Sequence, residues 1–187
     1  MVPRNSIPTE GLGDMSKIGG VVIAGVLAVG GIGAYEKWGK GGEDNTVRDQ
    51  SGEIVEQGEL GVFVLRTGDC FDDSSTGDDG ANSWYGLLSI EGQPCSSPHD
   101  SEAVGEYQVA GEVFRSTEEY FDESESKCKS ILELYSGKSI DELIAIWPEI
   151  GFSSFVPTAE SFAEDDRIVT CYVFLADETK FAKSVQG

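Results

Sequence analysis

Four cysteines (Cys70, Cys95, Cys128 and Cys171) and a single histidine, His99, are the residues of this 187-residue chain with the most evident chemistry. An even number of cysteines spread through one domain fits disulfides made in an oxidising space. Four cysteines allow three pairings. Cys70 with Cys95 and Cys128 with Cys171 is the preferred set. The first bridge would staple an acidic loop between two strands; the second would tie a long helix to the last strand. Zinc held by all four cysteines is the rival reading. Structural zinc sites draw on C-x2–4-C pairs, and no two cysteines here lie that close, so zinc is disfavoured.

His99 sits in Pro98-His99-Asp100-Ser101-Glu102. Two functional roles are open to it: a base oriented by Asp100, or a metal ligand together with Glu102. Neither G-x-S-x-G nor H-E-x-x-H accompanies it, and a lone histidine builds no multi-histidine site. The expectation is a hydrogen-bonded turn histidine. Asp72-x-Ser74-x-Thr76-Gly77 faintly echoes a calcium loop, but its twelfth position is Ser83 rather than glutamate. Trp84 and Tyr85 could line a sugar or peptide groove, although strand aromatics are more often half-buried. No catalytic constellation, cofactor site or metal site is expected.

The elements that must hold these residues follow from pattern. Leu60 to Leu65, Trp84 to Ile90 and Val104 to Phe114 read as strands. Phe121, Ser124, Cys128, Ile131, Leu132 and Tyr135 recur at helical spacing, between a capping box at Ser116-x-x-Glu119 and a stop at Gly137. Ser139-x-x-Glu142 opens a second helix with Ile140, Leu143, Ile144 and Trp147, which Pro148 ends. Arg167 to Leu175 is apolar on both faces and predicts a central strand. The predicted fold class is α+β: a small antiparallel sheet packed with two helices, disulfide-stapled and preceded by one transmembrane helix.

That last helix is predicted from an absence of charge. From Ile18 to Tyr35 there are 18 uncharged residues, six of them glycine, with Tyr35 and Trp38 at one end. A helix of that length nearly crosses a hydrocarbon core of about 30 Å. Six glycines suit a membrane helix better than one in water. A cleaved signal peptide is the weaker reading, since Glu10 and Asp14 dilute the basic start and the cleavage site is poor. Basic residues flank both ends and leave orientation ambiguous, so the cysteines decide it: the C-terminal part is placed outside the cytoplasm. The expected organisation is a cytoplasmic leader over 1–17, a span over 18–35, a juxtamembrane linker over 36–58, a folded domain over 59–176 and a tail over 177–187. Acidic residues outnumber basic ones 34 to 13, for a net charge of -21, and the segment after the span carries all of it. Such a field repels nucleic acid.

One pattern goes beyond composition. Gly68-Asp69-Cys70-Phe71 is followed by Cys95-x-x-Pro98-His99-Asp100-x-Glu102, then by Cys128 in a helix, then by Asp166-Arg167-Ile168-Val169-Thr170-Cys171. This resembles the septum formation family, small extracytoplasmic domains of actinobacterial membrane proteins, over roughly 60–175. Phe162 and Asp165 stand where family members often have tryptophan and glycine. The resemblance implies membrane anchoring by one N-terminal helix, a role in division septum formation, and no enzymatic activity. The resulting expectation is a non-enzymatic single-pass protein of the cell membrane. Its exported domain engages envelope or division proteins and no nucleic acid. The alternative is an extracytoplasmic module that binds or senses peptidoglycan, peptide or a cation.

Overall fold

The computed structural model describes residues 43–72, 89–177 and 179–186. Their order is β1 (Val47–Arg48), β2 (Ile54–Glu56), β3 (Gly58–Gly61), β4 (Cys70–Asp72), β5 (Ser89–Gln93), β6 (Ser101–Gln108), α1 (Thr117–Ser136), α2 (Ile140–Ile146), β7 (Ile150–Phe155), α3 (Ala159–Ala163) and β8 (Ile168–Leu175). Strands β3-β5-β4-β6-β8-β7 form one sheet, every neighbour antiparallel, and β1 pairs with β2 in a separate ribbon. The fold is thus a mixed sheet-and-helix domain with an antiparallel sheet, as expected. Among the described residues no helix is long and apolar enough to cross a membrane. The expected span 18–35 lies outside the described residues, as do the leader, Trp84, Tyr85 and the acidic loop beyond Asp72.

The two expected helices form, α2 with its full capping box and α1 with only the Ser116 half of the box expected there. The Ser116 hydroxyl accepts from Glu119 N at the start of α1, and Gly137, at φ 67°, takes the left-handed turn that ends it. Tyr120, Ser124, Cys128, Leu132 and Ser136 recur every four residues and are the buried stripe of α1. Tyr120 therefore takes the place expected for Phe121, which is half-buried. Ser139 and Glu142 close a complete capping box on α2.

Strand β8 lies between β6 and β7, with Val169 to Val173 buried without interruption. Successive strand residues point to opposite faces. Tyr172 accordingly joins one apolar cluster, with Leu60, Phe71, Ile90 and Ala103. Cys171 and Val173 join another, with Val104, Cys128, Leu132, Leu143, Phe181 and Val185. Helix α1 lies close against the sheet at Gly105, where a Cβ would meet Ile131 Cγ2 at 2.5 Å.

Several expectations need correction. The linker 36–58 is not all linker. From Glu43 onward it pairs with the domain: Asn45 N donates to Glu59 O at 2.9 Å, and Arg48 reaches Asp69. The tail, expected to fray or to add a short helix, does neither over its described residues, because Phe181 and Val185 are fully buried against α1 and α2 residues. The strand expected over 60–65 turns into a 3-10 helix at Val62–Val64. The strand expected over 104–114 instead covers Ser101–Gln108. The strand expected over 84–90 appears as Ser89–Gln93, with residues 84–88 outside the described set. Strand β7 and the short helix α3 were not anticipated, so the helices number three among the described residues rather than two.

Candidate functional site

The two bridges are Cys70–Cys95 and Cys128–Cys171, the pairings preferred from the sequence, and no described cysteine is free. They close loops of 25 and 43 residues. On the loop-entropy model these contribute about 3.5 and 4 kcal/mol. Cys70 is fully buried on β4, whereas Cys95 is half-buried in the turn after β5.

The motif residues gather around Cys70 through strand pairing. Cys70 stands opposite Glu102 in the β4–β6 register. Gly68 N donates to Ala103 O at 2.7 Å and Ala103 N to Asp69 O at 2.8 Å, extending that pairing. Asp69 is 4% exposed and accepts both terminal nitrogens of Arg48, at 2.6 and 2.9 Å, and the Arg66 amide at 2.8 Å. Arg48 also donates from Nε to Asp44 at 2.7 Å and from Nη1 to Gly52 O at 2.8 Å. Burial works against the Arg48 charge, but its hydrogen bonds to Asp69 and Asp44 outweigh that and raise its pKa. Asp44 likewise loses to burial but gains more from Thr46 and Arg48, which hold it below the ordinary carboxylate range.

His99 and Glu102 are both fully buried. The His99 Nδ1 lies 2.8 Å from the Ser97 carbonyl oxygen. A carbonyl can only accept, so Nδ1 donates, and the tautomer with its single proton there has a bare lone pair at Nε2. That Nε2 has no hydrogen-bond partner among the described residues. The tail fixes the ring in place: His99 and Phe181 exchange both backbone hydrogen bonds, at 3.1 and 2.9 Å, with ring centroids 5.7 Å apart. Glu102 accepts from Tyr135 Oη and Ser184 Oγ, each at 2.6 Å, and from Val185 N at 2.8 Å. Burial first, and then the Glu102 carboxylate, push the Tyr135 phenol well up. The Cys70 sulfur, a His99 ring nitrogen and a Glu102 carboxylate oxygen lie within 4.8 Å of one another.

The remaining motif residues serve elsewhere. The Asp100 amide donates to Asp72 at 3.0 Å, and the Asp100 carboxylate pairs with Lys180 at 3.3 Å, so Asp100 does not orient His99. Pro98 is exposed in the turn leading to His99. Asp166 accepts from Ser161 Oγ at 2.9 Å and Ile168 N at 3.0 Å, and burial raises its pKa despite them. Arg167 lies 3.4 Å from the centroid of the Phe162 ring and donates to Phe162 O at 2.7 Å. Phe162 is thus buried beneath that guanidinium. Asp165 has φ 78°, so aspartate here takes the left-handed turn expected to need glycine. Sequence reasoning missed Tyr135, Ser184 and Arg48 as partners of the motif, because only the pairing of distant segments unites them.

Comparison with protein-family models, curated proteins and solved structures finds no match to this chain.

Proposed function

We propose that the chain is a non-enzymatic, single-pass membrane protein whose disulfide-bonded domain lies outside the cytoplasm and acts by binding division or cell-envelope proteins. One observation carries this reading: all four cysteines are closed in two bridges within a single domain. Paired structural disulfides belong to oxidising compartments. The uncharged stretch 18–35 supplies the anchor. The motif resemblance supplies the septal role. Among the motif residues Asp69 and Glu102 tie distant segments together and His99 pairs its backbone with Phe181, which supports a structural rather than a catalytic role for them. A general base must reach the proton it abstracts, and His99 has no exposed surface.

The test combines topology with localisation. Thiol mapping of the protein from cell membranes, without reductant, should find no free cysteine, and external protease should remove the domain from intact spheroplasts. A fluorescent fusion should concentrate at the septum. Four alkylatable thiols would overturn the topology; even labelling of the envelope with normal septa after deletion would overturn the septal role.

A further inference from the structure

We propose that the Cys70–Cys95 bridge is the oxidised form of a metal site of the zinc class, with Cys70 Sγ, Cys95 Sγ, His99 Nε2 and the Glu102 carboxylate as its four ligands. Three of these residues already converge: a Cys70 sulfur, a His99 ring nitrogen and a Glu102 carboxylate oxygen lie within 4.8 Å of one another, and all three residues are buried. Cys95 is joined to Cys70 and so brings the fourth. The mixture of thiolate, imidazole and carboxylate suits zinc, which takes four such ligands tetrahedrally.

The second observation is the unpartnered imidazole nitrogen. A buried acceptor without a donor costs roughly 1–3 kcal/mol, so its persistence calls for a physical reason. Metal-binding histidines typically donate their other ring N–H to a carbonyl or carboxylate, which fixes the tautomer. His99 does this through Nδ1 and Ser97 O, at 2.8 Å. Glu102 is prepared in the same way. An ionised carboxylate offers about four lone-pair sites; Tyr135, Ser184 and Val185 occupy three, which leaves one. The net charge of -21 raises the local concentration of divalent cations around the domain.

The chemistry balances with a dithiol as reductant. The dithiol gives two electrons and two protons to the bridge and itself becomes a disulfide. Its thiolate reaches the half-buried Cys95 sulfur first, and the buried Cys70 leaves. The divalent ion then displaces both thiol protons to solvent and takes the lone pair of neutral His99. The two sulfurs must part to about 3.8 Å to share one zinc, a separation set by Zn–S bonds of about 2.3 Å. Cys95 lies in a turn outside the strands, so the move breaks no strand pairing. Bridge and metal therefore exclude one another, and the site responds jointly to redox state and metal supply. Cys128 and Cys171 form no such site: both are buried, and the described cluster does not include them.

The test uses the full-length chain in detergent, reduced anaerobically with a phosphine and titrated with Co2+ and then Zn2+. The reduced chain should bind one equivalent of Co2+ with a thiolate-to-cobalt charge-transfer band that Zn2+ abolishes. Zn2+ should slow alkylation of Cys70 and Cys95 at least tenfold and leave Cys128 and Cys171 unchanged. His99→Gln should weaken Co2+ binding at least tenfold, and the oxidised chain should give no such band. The proposal is overturned if the reduced chain gives no charge-transfer band, or if Zn2+ leaves alkylation of Cys70 and Cys95 unchanged. Equal Co2+ affinity of His99→Gln, or a reduced chain that unfolds and is not refolded by Zn2+, overturns it too. The alkylation arm needs no variant and so stands even where His99→Gln does not fold.

Discussion

Replacing Glu102 by alanine tests whether the buried carboxylate ties β6, α1 and the tail together. Its three donors are Tyr135 Oη and Ser184 Oγ at 2.6 Å and Val185 N at 2.8 Å. Hydrogen bonds to a charged group are worth about 1.5–3 kcal/mol each, or roughly 4.5–9 in gross terms. Against this stands the desolvation of the carboxylate itself, several kcal/mol, which the substitution relieves. Three neutral donors lose their acceptor, at about 1–3 kcal/mol for each one left buried, so a net destabilisation of about 3–5 kcal/mol is expected. With a urea slope of about 2 kcal/mol per molar, the midpoint should fall by about 1.5–2.5 M. Tyr135→Phe alone should cost about 1–2 kcal/mol. The decisive measurement is the double variant. If Glu102 and Tyr135 hold each other, each single change already loses their shared hydrogen bond, so the double change should cost about 1–2 kcal/mol less than the sum. Additivity within about 0.5 kcal/mol would refute the reasoning and reduce Glu102 to a neighbour of Tyr135.

Three further outcomes follow from the same structure. Phe181→Ala should cost about 3–5 kcal/mol in urea unfolding, and it should change Trp147 fluorescence, because the two rings meet edge to face at 5.7 Å. Arg48→Met should cost a comparable 3–5 kcal/mol, since it strands Asp69 at 4% exposure without its cation; Lys would restore only part of this, as it cannot make the paired contact. The third concerns pH. Burial raises the Asp166 pKa above its unfolded value, so the native state holds a proton more tightly there. Stability should therefore fall as pH rises from the unfolded to the folded pKa of Asp166, and Asp166→Asn should flatten that slope; a titration of the Asp166 carboxyl by NMR with a midpoint at or below the unfolded value would contradict it.

What the sequence made legible was local. The caps of α1 and α2 are written within four residues of each helix start, at Ser116 and Ser139, and each was found where its hydroxyl binds. Strand β8 was readable because both of its faces are apolar, which only a strand covered on both sides requires. Strand β7 was not, since Ile150–Phe155 interrupts its apolar residues with glycine and two serines on a sheet edge. The β1–β2 ribbon reads as linker because its anchor is an ion pair between Arg48 and Asp69, 21 residues apart, rather than an apolar pattern. The tail reads as a frayed end or a short helix because, among its described residues, Phe181 and Val185 alone commit it to the core. The candidate site shows the same division. Cys95, His99 and Glu102 lie within eight residues and were singled out together, whereas Cys70 joins them through strand register, which no local spacing encodes.

The Cys70–Cys95 bridge also has a practical meaning for the segment 73–88. The chain enters that segment from β4 and leaves it into β5, and these strands pair from Cys70 opposite Gln93 to Asp72 opposite Glu91. Both ends are thus held by the sheet and by a covalent tie just behind it. Reducing the bridge should therefore leave those two ends held by strand pairing alone, so hydrogen exchange of the β4 and β5 amides reads how much of that hold is covalent.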